Sequence, residues 1–274
     1  MTKPKPASRI EAPVRALPGK ARVTTGIIEN LREDIVTGRL QKGDRMPSEK
    51  TLAEQYGVSQ PTVRETLRAL EVIGLVDVRH GSGTYVSGDD RYAVAAALLT
   101  ILQVSGATTA EVNAIRELLF LEAMRQAVSS ATEEQIELIE QASDALDRIS
   151  PEQDVHDIVE AYVTYLNTLS DASNSPLLAT LSSVLTTLSL TLVFAQVNSR
   201  GTAFWLGRID MLRATREQVV AAIKRRDPAV VDAGKKYFST AYNALKSDND
   251  IWNIKISDPV LADTLRHFQA RYKR

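Results

Sequence analysis

The sequence contains no cysteine and only three histidines among its 274 residues. Without cysteine the chain has no disulfides, no thiolate metal sites and no cysteine nucleophile, and this composition fits a reducing cytoplasm. The first residues lack the apolar core of a secretion signal, so we expect a cytoplasmic location. Because no phosphate loop and no serine–histidine–aspartate set is recognisable, the sequence does not favour an enzyme.

One long stretch has no charge. Residues 172–199 contain no Asp, Glu, Lys or Arg and are long enough to span a bilayer. The stretch is also rich in serine and threonine, which makes it too polar for a typical membrane span. We therefore expect a helix at the centre of a bundle, polar enough to line a cavity, and no membrane association.

Charge is unevenly distributed, although the formal net charge is only -1. Residues 1–88 carry 14 basic and 10 acidic side chains, whereas residues 89–274 carry 19 and 24. Residues 1–23 contain four prolines and little periodicity, which predicts a disordered basic arm. Such an arm either lies along DNA phosphates or simply solubilises the chain.

Apolar residues recur every three or four positions from residue 24 onward, which predicts three short helices. Ser48 and Ser59 stand where they can cap the second and third helices, and Gly57 separates these two helices. The period then changes to two, which predicts a strand over 75–79, a turn over 80–83 and a returning strand over 84–86. Three helices and a hairpin wing would form one small domain over residues 24–88.

The remainder of the chain shows helical periodicity and no strand signal. Candidate helices lie near 92–105, 108–129, 132–149, 154–172, 176–198, 202–226 and 228–246. We therefore predict a mainly α fold, with an N-terminal winged helix-turn-helix and an antiparallel bundle of six or seven helices over residues 89–248. Such bundles hold ligands between their helices. Residues 249–274 are predicted to be a C-terminal extension, either an extra helix or a loose tail.

A helix-turn-helix needs a small residue in its first helix, a residue tolerant of positive φ in the turn and an apolar residue inside the second helix. Ala53, Gly57 and Val63 have this spacing. Together with the wing, residues 31–86 closely resemble the DNA-binding domain of the GntR superfamily. The shared residues are Gly38, Gly43, Met46–Glu49, Leu52–Ala53, Gly57–Ser59, Thr62–Arg64, Ala69–Leu70, Gly74–Leu75 and Gly81–Val86.

The GntR resemblance implies a homodimer that reads a palindromic double-stranded DNA operator, with the recognition helix in the major groove and the wing near the minor groove. It assigns base reading to Arg64, because arginine can bond guanine O6 and N7 together, with a phosphate contact as the alternative. Lys50 and Gln60 replace arginines of the acyl-CoA-sensing members. The resemblance also implies phosphate contacts from Thr62, Ser59 and Arg32. At the wing tip it implies contacts from His80 and Gly81, although His80 is either a groove contact or only a turn residue.

The helical region resembles, more loosely, the effector domain of the FadR-type branch. Arg116 matches the signature arginine of that domain, and residues 174–178 and 222–227 match two further landmarks. Most members bind a divalent metal through one Asp and three His. Those ligand positions fall here on Tyr162, Leu166, Arg216 and Phe238. We therefore predict no metal and no cofactor, and we interpret His156 and its acidic neighbours as a solvated helix start.

The metal-free acyl-CoA-responsive members share a tyrosine at the position of Tyr162. The resemblance thus implies an effector-gated repressor or activator whose ligand is a fatty acyl-CoA, with a small carboxylate or a vestigial ligand domain as alternatives. Arg116 would bind the anionic group unless Glu117 or Glu122 neutralises it. Three tyrosines would supply hydroxyls or merely pack, and two further arginines are rival anchors. These five residues are Tyr162, Tyr165, Tyr237, Arg213 and Arg216.

Overall fold

A computed structural model describes residues 20–79, 81–87, 91–197, 201–246, 252–262 and 264–266. The chain divides into two compact units between Ala93 and Val94. The architecture confirms the predicted mainly α fold, with a winged helix-turn-helix at the N-terminus and a helical domain at the C-terminus.

The N-terminal unit packs three helices against a hairpin. Its helices are α1 (Lys20–Val36), α2 (Glu49–Tyr56) and α3 (Gln60–Val72), and its strands are β1 (Val76–Arg79) and β2 (Gly83–Val86). The strands are antiparallel, and Val76 lies opposite Val86. The buried core comprises Ile27, Leu31, Leu40, Met46, Leu52, Ala53, Tyr56, Val63, Leu67, Leu70, Val76 and Val86. Helix α1 begins four residues before the start expected at residue 24, so residues 20–23 are helical and not part of a disordered arm, whereas residues 1–19 of the predicted arm lie outside the described residues.

Short polar side chains fix the turn between α2 and α3. The Ser48 hydroxyl accepts a hydrogen bond from the Thr51 amide at the start of α2, and the Ser59 hydroxyl accepts one from the Thr62 amide at the start of α3. Between these caps Gly57 ends α2 with φ of 64°, a left-handed conformation that glycine adopts without strain. The predicted caps and turn are thus present.

The C-terminal unit contains seven α-helices among its described residues. They are α4 (Arg91–Ser105), α5 (Thr109–Ser130), α6 (Glu133–Asp147), α7 (Val155–Asp171), α8 (Pro176–Val197), α9 (Gly201–Lys224) and α10 (Val230–Lys246). Capping boxes start α5 and α6, with Thr108 paired to Glu111 and Thr132 paired to Gln135. These bounds lie close to the helices predicted from periodicity.

Helix α8 is the apolar stretch that raised the question of a membrane span. Its segment Pro176–Phe194 is long and apolar enough for a span, but 72% of that window is buried inside the protein. Leu188 and Leu192 pack against α4, whereas Leu190 and Val193 belong to the larger core around α7 and α9. Helix α8 is therefore a central core helix, as the sequence indicated.

The C-terminal extension packs onto the helical unit. The Ile256 amide donates to the Ala107 carbonyl at 2.8 Å, and the Thr109 amide donates to the Ile254 carbonyl at 3.0 Å. Ile256, Leu261 and Leu265 are buried against α4 and α8, and a short 3-10 helix spans Pro259–Leu261. Over the described residues 252–266 the extension is therefore part of the core and not a loose tail.

Candidate functional site

Arg64 lies in the second turn of α3 with its side chain 54% exposed. Its Nε donates to Oε1 of Glu49 at 3.1 Å, and its Nη2 donates to Oε2 of the same carboxylate at 2.7 Å. The hydrogen bond from Arg64 lowers the pKa of Glu49 below its ordinary value, with a smaller effect from the charge of Arg68. The predicted base reader is therefore exposed and also held by a carboxylate of α2.

The other predicted cations and Gln60 also lie at the surface of the DNA-binding domain. Arg32 on α1, Lys50 on α2 and Gln60 at the start of α3 are all exposed. Lys50 Nζ lies 4.0 Å from Oε1 of Glu54 one helical turn along. The placement leaves all three side chains accessible to a ligand outside the domain.

Ser59 caps α3 as the sequence predicted, and Thr62, which was expected to contact a phosphate, shares this structural role. Their hydroxyl oxygens lie 2.9 Å apart at the cap of α3, and Thr62 is only 8% exposed. The Thr62 carbonyl accepts a hydrogen bond from the buried Thr66 hydroxyl. Both side chains thus stabilise the start of α3, and a phosphate would compete with this cap for their hydroxyl groups.

Sequence reasoning missed two arginines at the wing: Arg79 ends β1, and Arg45, in the loop before α2, bridges to Tyr85 of β2. The Arg79 guanidinium lies over the Tyr85 ring, 4.6 Å from its centroid. The Arg45 guanidinium lies so close to Gly83 that a Cβ there would be 3.1 Å from its Nε. Gly81, with φ of 75°, is exposed in the turn, whereas His80 lies outside the described residues. A strand-end arginine beside a glycine turn was the available signal for Arg79.

In the helical domain Arg116 is buried, with 4% exposure. Its Nη2 donates to the Tyr242 hydroxyl at 3.2 Å, and its guanidinium carbon lies 5.3 Å from the centroid of the Phe238 ring. Its Nε has no hydrogen-bond partner among the described residues. Glu122 is bound to Arg125 and Gln126 instead, so it does not neutralise Arg116. The other candidate, Glu117, forms no ion pair with Arg116 within the described residues, although its charge acts on the neighbouring Tyr242.

A second buried guanidinium, that of Arg208, influences the pKa of Tyr242 electrostatically. Burial raises the pKa of Tyr242 and the negative charge of Glu117 adds to the increase, whereas Arg116 and Arg208 partly oppose it with their positive charges. Arg208 Nη1 donates to the Ala241 carbonyl at 3.1 Å, whereas its Nε lacks a partner in the described part of the chain. Arg208 carried no motif that could have identified it from the sequence.

The three predicted effector tyrosines are buried in the helical domain, where Tyr237 is electrostatically linked to Arg208 and Tyr165 to Arg216. The Tyr237 hydroxyl donates to the Tyr162 hydroxyl at 3.0 Å. The Tyr165 hydroxyl is buried without a described partner, and burial raises the pKa of Tyr165 far above its ordinary value. Burial likewise raises the pKa of Tyr237, with smaller effects from Tyr162 and Tyr165 and an opposing charge from Arg208. The tyrosines therefore form one electrostatically linked group.

The rival anchors Arg213 and Arg216 are both paired with Asp147 at the end of α6. Arg216 is fully buried, and its Nη2 forms a short ion pair with Asp147 while its Nε donates to the Ser143 hydroxyl at 3.1 Å. Arg213 is half-exposed and donates to the same carboxylate at 2.9 Å. Neither guanidinium is left with an uncompensated charge.

The residues at the family's metal positions do not fit a divalent cation. The Tyr162 hydroxyl is engaged with Tyr237, Arg216 is a cation, and Leu166 and Phe238 offer no ligand atom. No group of three potential ligands among His, Cys, Asp and Glu occurs within the described residues. His156 is exposed in the first turn of α7, with Nε2 3.9 Å from Oε2 of Glu160.

The chain thus combines a winged helix-turn-helix with an all-helical domain whose interior holds buried polar side chains. Residues 24–86 match the family described as bacterial regulatory proteins of the gntR family, and residues 111–234 match the FCD domain. The chain therefore contains a gntR-family DNA-binding domain followed by an FCD domain. These families and the relatives described next are transcriptional regulators, not enzymes.

Two curated relatives and one solved structure illustrate the similarity. The chain is 35% identical over 129 residues to the HTH-type transcriptional regulator Mce2R of Mycobacterium tuberculosis, which spans 47% of this chain and 54% of that protein. It is 30% identical over 144 residues to LutR of Bacillus subtilis, spanning 53% and 65%. The matched region thus spans about half to two thirds of these relatives. The fold resembles Streptococcus agalactiae GntR with a TM-score of 0.60 at 21% identity, covering 81% of this chain and 99% of that one.

Proposed function

We propose that this protein is a cytoplasmic, sequence-specific DNA-binding transcriptional regulator that acts as a homodimer on a palindromic operator. The exposed position of Arg64 on α3, together with exposed Arg79 on the wing and exposed Arg45 beside the wing, carries this proposal. Helix α3 enters the major groove and Arg64 bonds a guanine, while the wing approaches the minor groove. One domain reads one half-site, so two-fold symmetry supplies the second.

Phosphate contacts would come from exposed cations around α3. Arg32, Lys50 and Arg45 are exposed on separate elements of the domain, and such contacts position a protein without reading sequence. By the family resemblance, Lys50 and Gln60 stand where the acyl-CoA-sensing members have arginine. We therefore expect an operator that differs from those of the acyl-CoA-sensing members, since glutamine prefers adenine and lysine lacks the bidentate fork.

The Arg64→Ala variant tests the DNA-binding proposal. An operator is first selected from random DNA with the wild type, and its affinity is then measured by fluorescence anisotropy. We expect a loss of at least about tenfold, because each half-site loses a bidentate contact. Arg125→Ala, which removes an exposed, paired arginine on α5, is the matched control. Wild-type affinity in Arg64→Ala, with an unchanged circular dichroism spectrum, would rule out base reading by Arg64.

We further propose that DNA binding is gated by an anionic effector inside the helical domain. Two buried guanidiniums, Arg116 and Arg208, lack an ion-pair partner among the described residues, and each has an unpaired Nε. A buried charge without a counter-charge is costly, and an anionic ligand would remove that cost. Ser182 and Thr186 on α8 add buried hydroxyls without described partners.

Two ligand classes fit this interior. A fatty acyl-CoA and a small carboxylate each bring an anionic acceptor for Arg116. Tyr162, Tyr165 and Tyr237 supply buried hydroxyl groups within the same helical domain, and Tyr237 is electrostatically linked to Arg208. Arg213 and Arg216 are less suitable anchors because Asp147 already neutralises them. A thermal-shift screen with acyl-CoAs and with small carboxylates distinguishes the two classes. A ligand that binds only the native state raises the melting temperature, so the class that binds is the one that produces the shift.

Operator release tests the effector site. Arg116→Lys keeps the charge but loses the guanidinium geometry, and we expect it to need a higher ligand concentration for release. Arg208→Lys should show the same change, whereas Arg213→Lys, whose parent side chain is half-exposed and paired, should respond like the wild type. If both Arg116→Lys and Arg116→Ala fold, bind DNA and respond at the wild-type concentration, the effector binds elsewhere.

A further inference from the structure

Glu49 holds Arg64 by one particular edge of its guanidinium. The carboxylate accepts from Nε at 3.1 Å and from Nη2 at 2.7 Å, which is side-on bidentate pairing. Ser48 caps α2 and thereby places Glu49 in the first turn of that helix. The two partners come from different helices and lie 15 residues apart, so the pairing depends on the turn between α2 and α3.

Side-on pairing leaves the opposite edge of the guanidinium available. A guanidinium has five N–H donors in a rigid plane, and Glu49 uses one on Nε and one on Nη2. The remaining donors on Nη1 and Nη2 form a second fork, which has the geometry that guanine O6 and N7 require. Because Arg64 is 54% exposed, the ion pair and a base contact can exist together.

The pair of Glu49 and Arg64 differs from the ion pair of Lys50 and Glu54, which lies on α2 beside Glu49. Lys50 and Glu54 are separated by 4.0 Å, and their side chains are 75% and 69% exposed, whereas Glu49 is 35% exposed. Surface ion pairs contribute little to stability, but a bidentate arginine pair fixes the orientation of the guanidinium plane. The geometry therefore suits orientation of Arg64 better than stabilisation of the fold.

We propose that Glu49 is a positioning residue that sets the base selectivity of Arg64, an inference that rests on the proposed DNA-binding function. By restricting the rotamers of Arg64, Glu49 reduces the entropy lost when the free fork meets guanine. Its negative charge also repels phosphates, so it disfavours contacts to the DNA backbone. Glu49 thus increases the difference between operator and non-operator binding rather than affinity in general.

The experiment compares full-length wild type with Glu49→Ala and Glu49→Gln. The guanine read by Arg64 is first identified as the selected position at which Arg64→Ala loses its preference. Affinities are then measured for the operator, for the operator with adenine at that position, and for random DNA. Glu54→Ala and Glu54→Gln on the same helix change the net charge equally and are the matched controls. Unchanged circular dichroism and melting temperature establish that every variant is folded.

For Glu49→Ala we expect the guanine-over-adenine preference to fall about 3- to 10-fold per half-site, the size of the rotamer cost of one immobilised side chain. Binding to random DNA should stay equal or increase. The Glu49→Gln side chain still accepts a hydrogen bond, so the base preference of this variant should lie between those of the wild type and Glu49→Ala. The Glu54 variants should keep the wild-type preference.

An unchanged preference in Glu49→Ala, while Arg64→Ala loses it, would overturn the inference and leave the DNA-binding function intact. A tighter operator complex with an equal or larger preference would also overturn it, because Glu49 would then compete with DNA for Arg64. If the wild type itself selects no sequence, the DNA-binding proposal fails and this inference fails with it.

Discussion

The candidate binding arginines of the DNA-binding domain and the inward-facing arginines of the helical domain lie in opposite environments. Arg45, Arg64 and Arg79 of the DNA-binding domain are exposed, whereas Arg116, Arg208 and Arg216 of the helical domain are at most 6% exposed. An exposed arginine contributes little to stability and can meet an external anion, but a buried arginine must be compensated within the fold or by a ligand. Replacing an exposed arginine should therefore alter DNA binding and leave the fold intact. Replacing a buried arginine should also affect the stability of the fold.

The buried arginines are themselves of two kinds. Arg216 is compensated by Asp147 and the Ser143 hydroxyl, so we interpret it as structural. Arg116 and Arg208 donate only to the neutral oxygens of Tyr242 and Ala241 among the described residues. The first kind should govern the stability of the helical domain, and the second kind should govern its response to a ligand.

The largest expected effect comes from removing the carboxylate that compensates Arg216. Asp147→Ala leaves a fully buried guanidinium without its counter-charge, which costs about 3–5 kcal/mol of unfolding free energy. Urea denaturation followed by tryptophan fluorescence measures this, since both tryptophans, Trp205 and Trp252, lie in the helical domain. Asp210→Ala removes an exposed partner of Arg213 and should cost less than about 0.5 kcal/mol. Equal effects in both variants would contradict the structural role of Arg216.

The effect of Asp147 should depend on pH. Burial alone would raise the pKa of Asp147, but the hydrogen bonds and charges of Arg216 and Arg213 outweigh burial and lower it. The stabilisation is therefore complete above about pH 4, the unfolded value, and is lost as pH falls toward the lowered folded value. The difference between wild type and Asp147→Ala should accordingly decrease in acid.

Sequence reasoning was effective where structure is local. The caps Ser48 and Ser59, the turn at Gly57 and the hairpin depend on residues within a few positions of each other, and the structure contains all of them. Arg64 was named as a candidate because a local motif surrounds it. Its exposure agrees with that assignment, but its base contact stays a prediction.

Pairings between distant residues could not be predicted. Arg216 and Asp147 are separated by 69 positions and Arg116 and Tyr242 by 126, and nothing in the periodicity of either helix indicates such partners. Arg208 was missed for the same reason. Even the pair of Glu49 and Arg64, only 15 positions apart, depends on how α2 crosses α3.

A smaller effect should follow from loosening the C-terminal extension. Ile256 is fully buried against α4 and α8, so Ile256→Ala should cost about 2–3 kcal/mol, toward the lower end for a buried isoleucine. Val260→Ala in the same segment is the control, since Val260 is 71% exposed. Urea denaturation followed by tryptophan fluorescence measures the free energy of unfolding of both variants. No difference between them would mean that the extension contributes nothing to the helical core.

In the DNA-binding domain we expect a smaller and more local effect. Ser59→Ala removes the cap of α3 and should cost about 1 kcal/mol. Hydrogen exchange measured by mass spectrometry should increase in the first turn of α3 and stay unchanged in the helical domain. Ser82→Ala in the wing turn, which does not cap a helix, is the control. Unchanged exchange at α3 in Ser59→Ala would show that the cap is dispensable.

The smallest expected effect is that of metal removal, which we expect to be zero. A metal ion at a hundred times its dissociation constant would stabilise the domain by about 2.7 kcal/mol, and its removal would lower the melting temperature by about 5–10 °C. The family's ligand positions hold Tyr162, Leu166, Arg216 and Phe238, and the cation among them is already paired with Asp147. A divalent ion placed there would add positive charge beside Arg216 without gaining carboxylate or imidazole ligands from these positions. Treatment with EDTA should therefore leave both the melting temperature and the operator affinity unchanged. If EDTA lowers the melting temperature by several degrees and zinc or nickel restores it, other residues bind a metal. An anionic effector would then be expected to bind to that metal and not to Arg116 and Arg208.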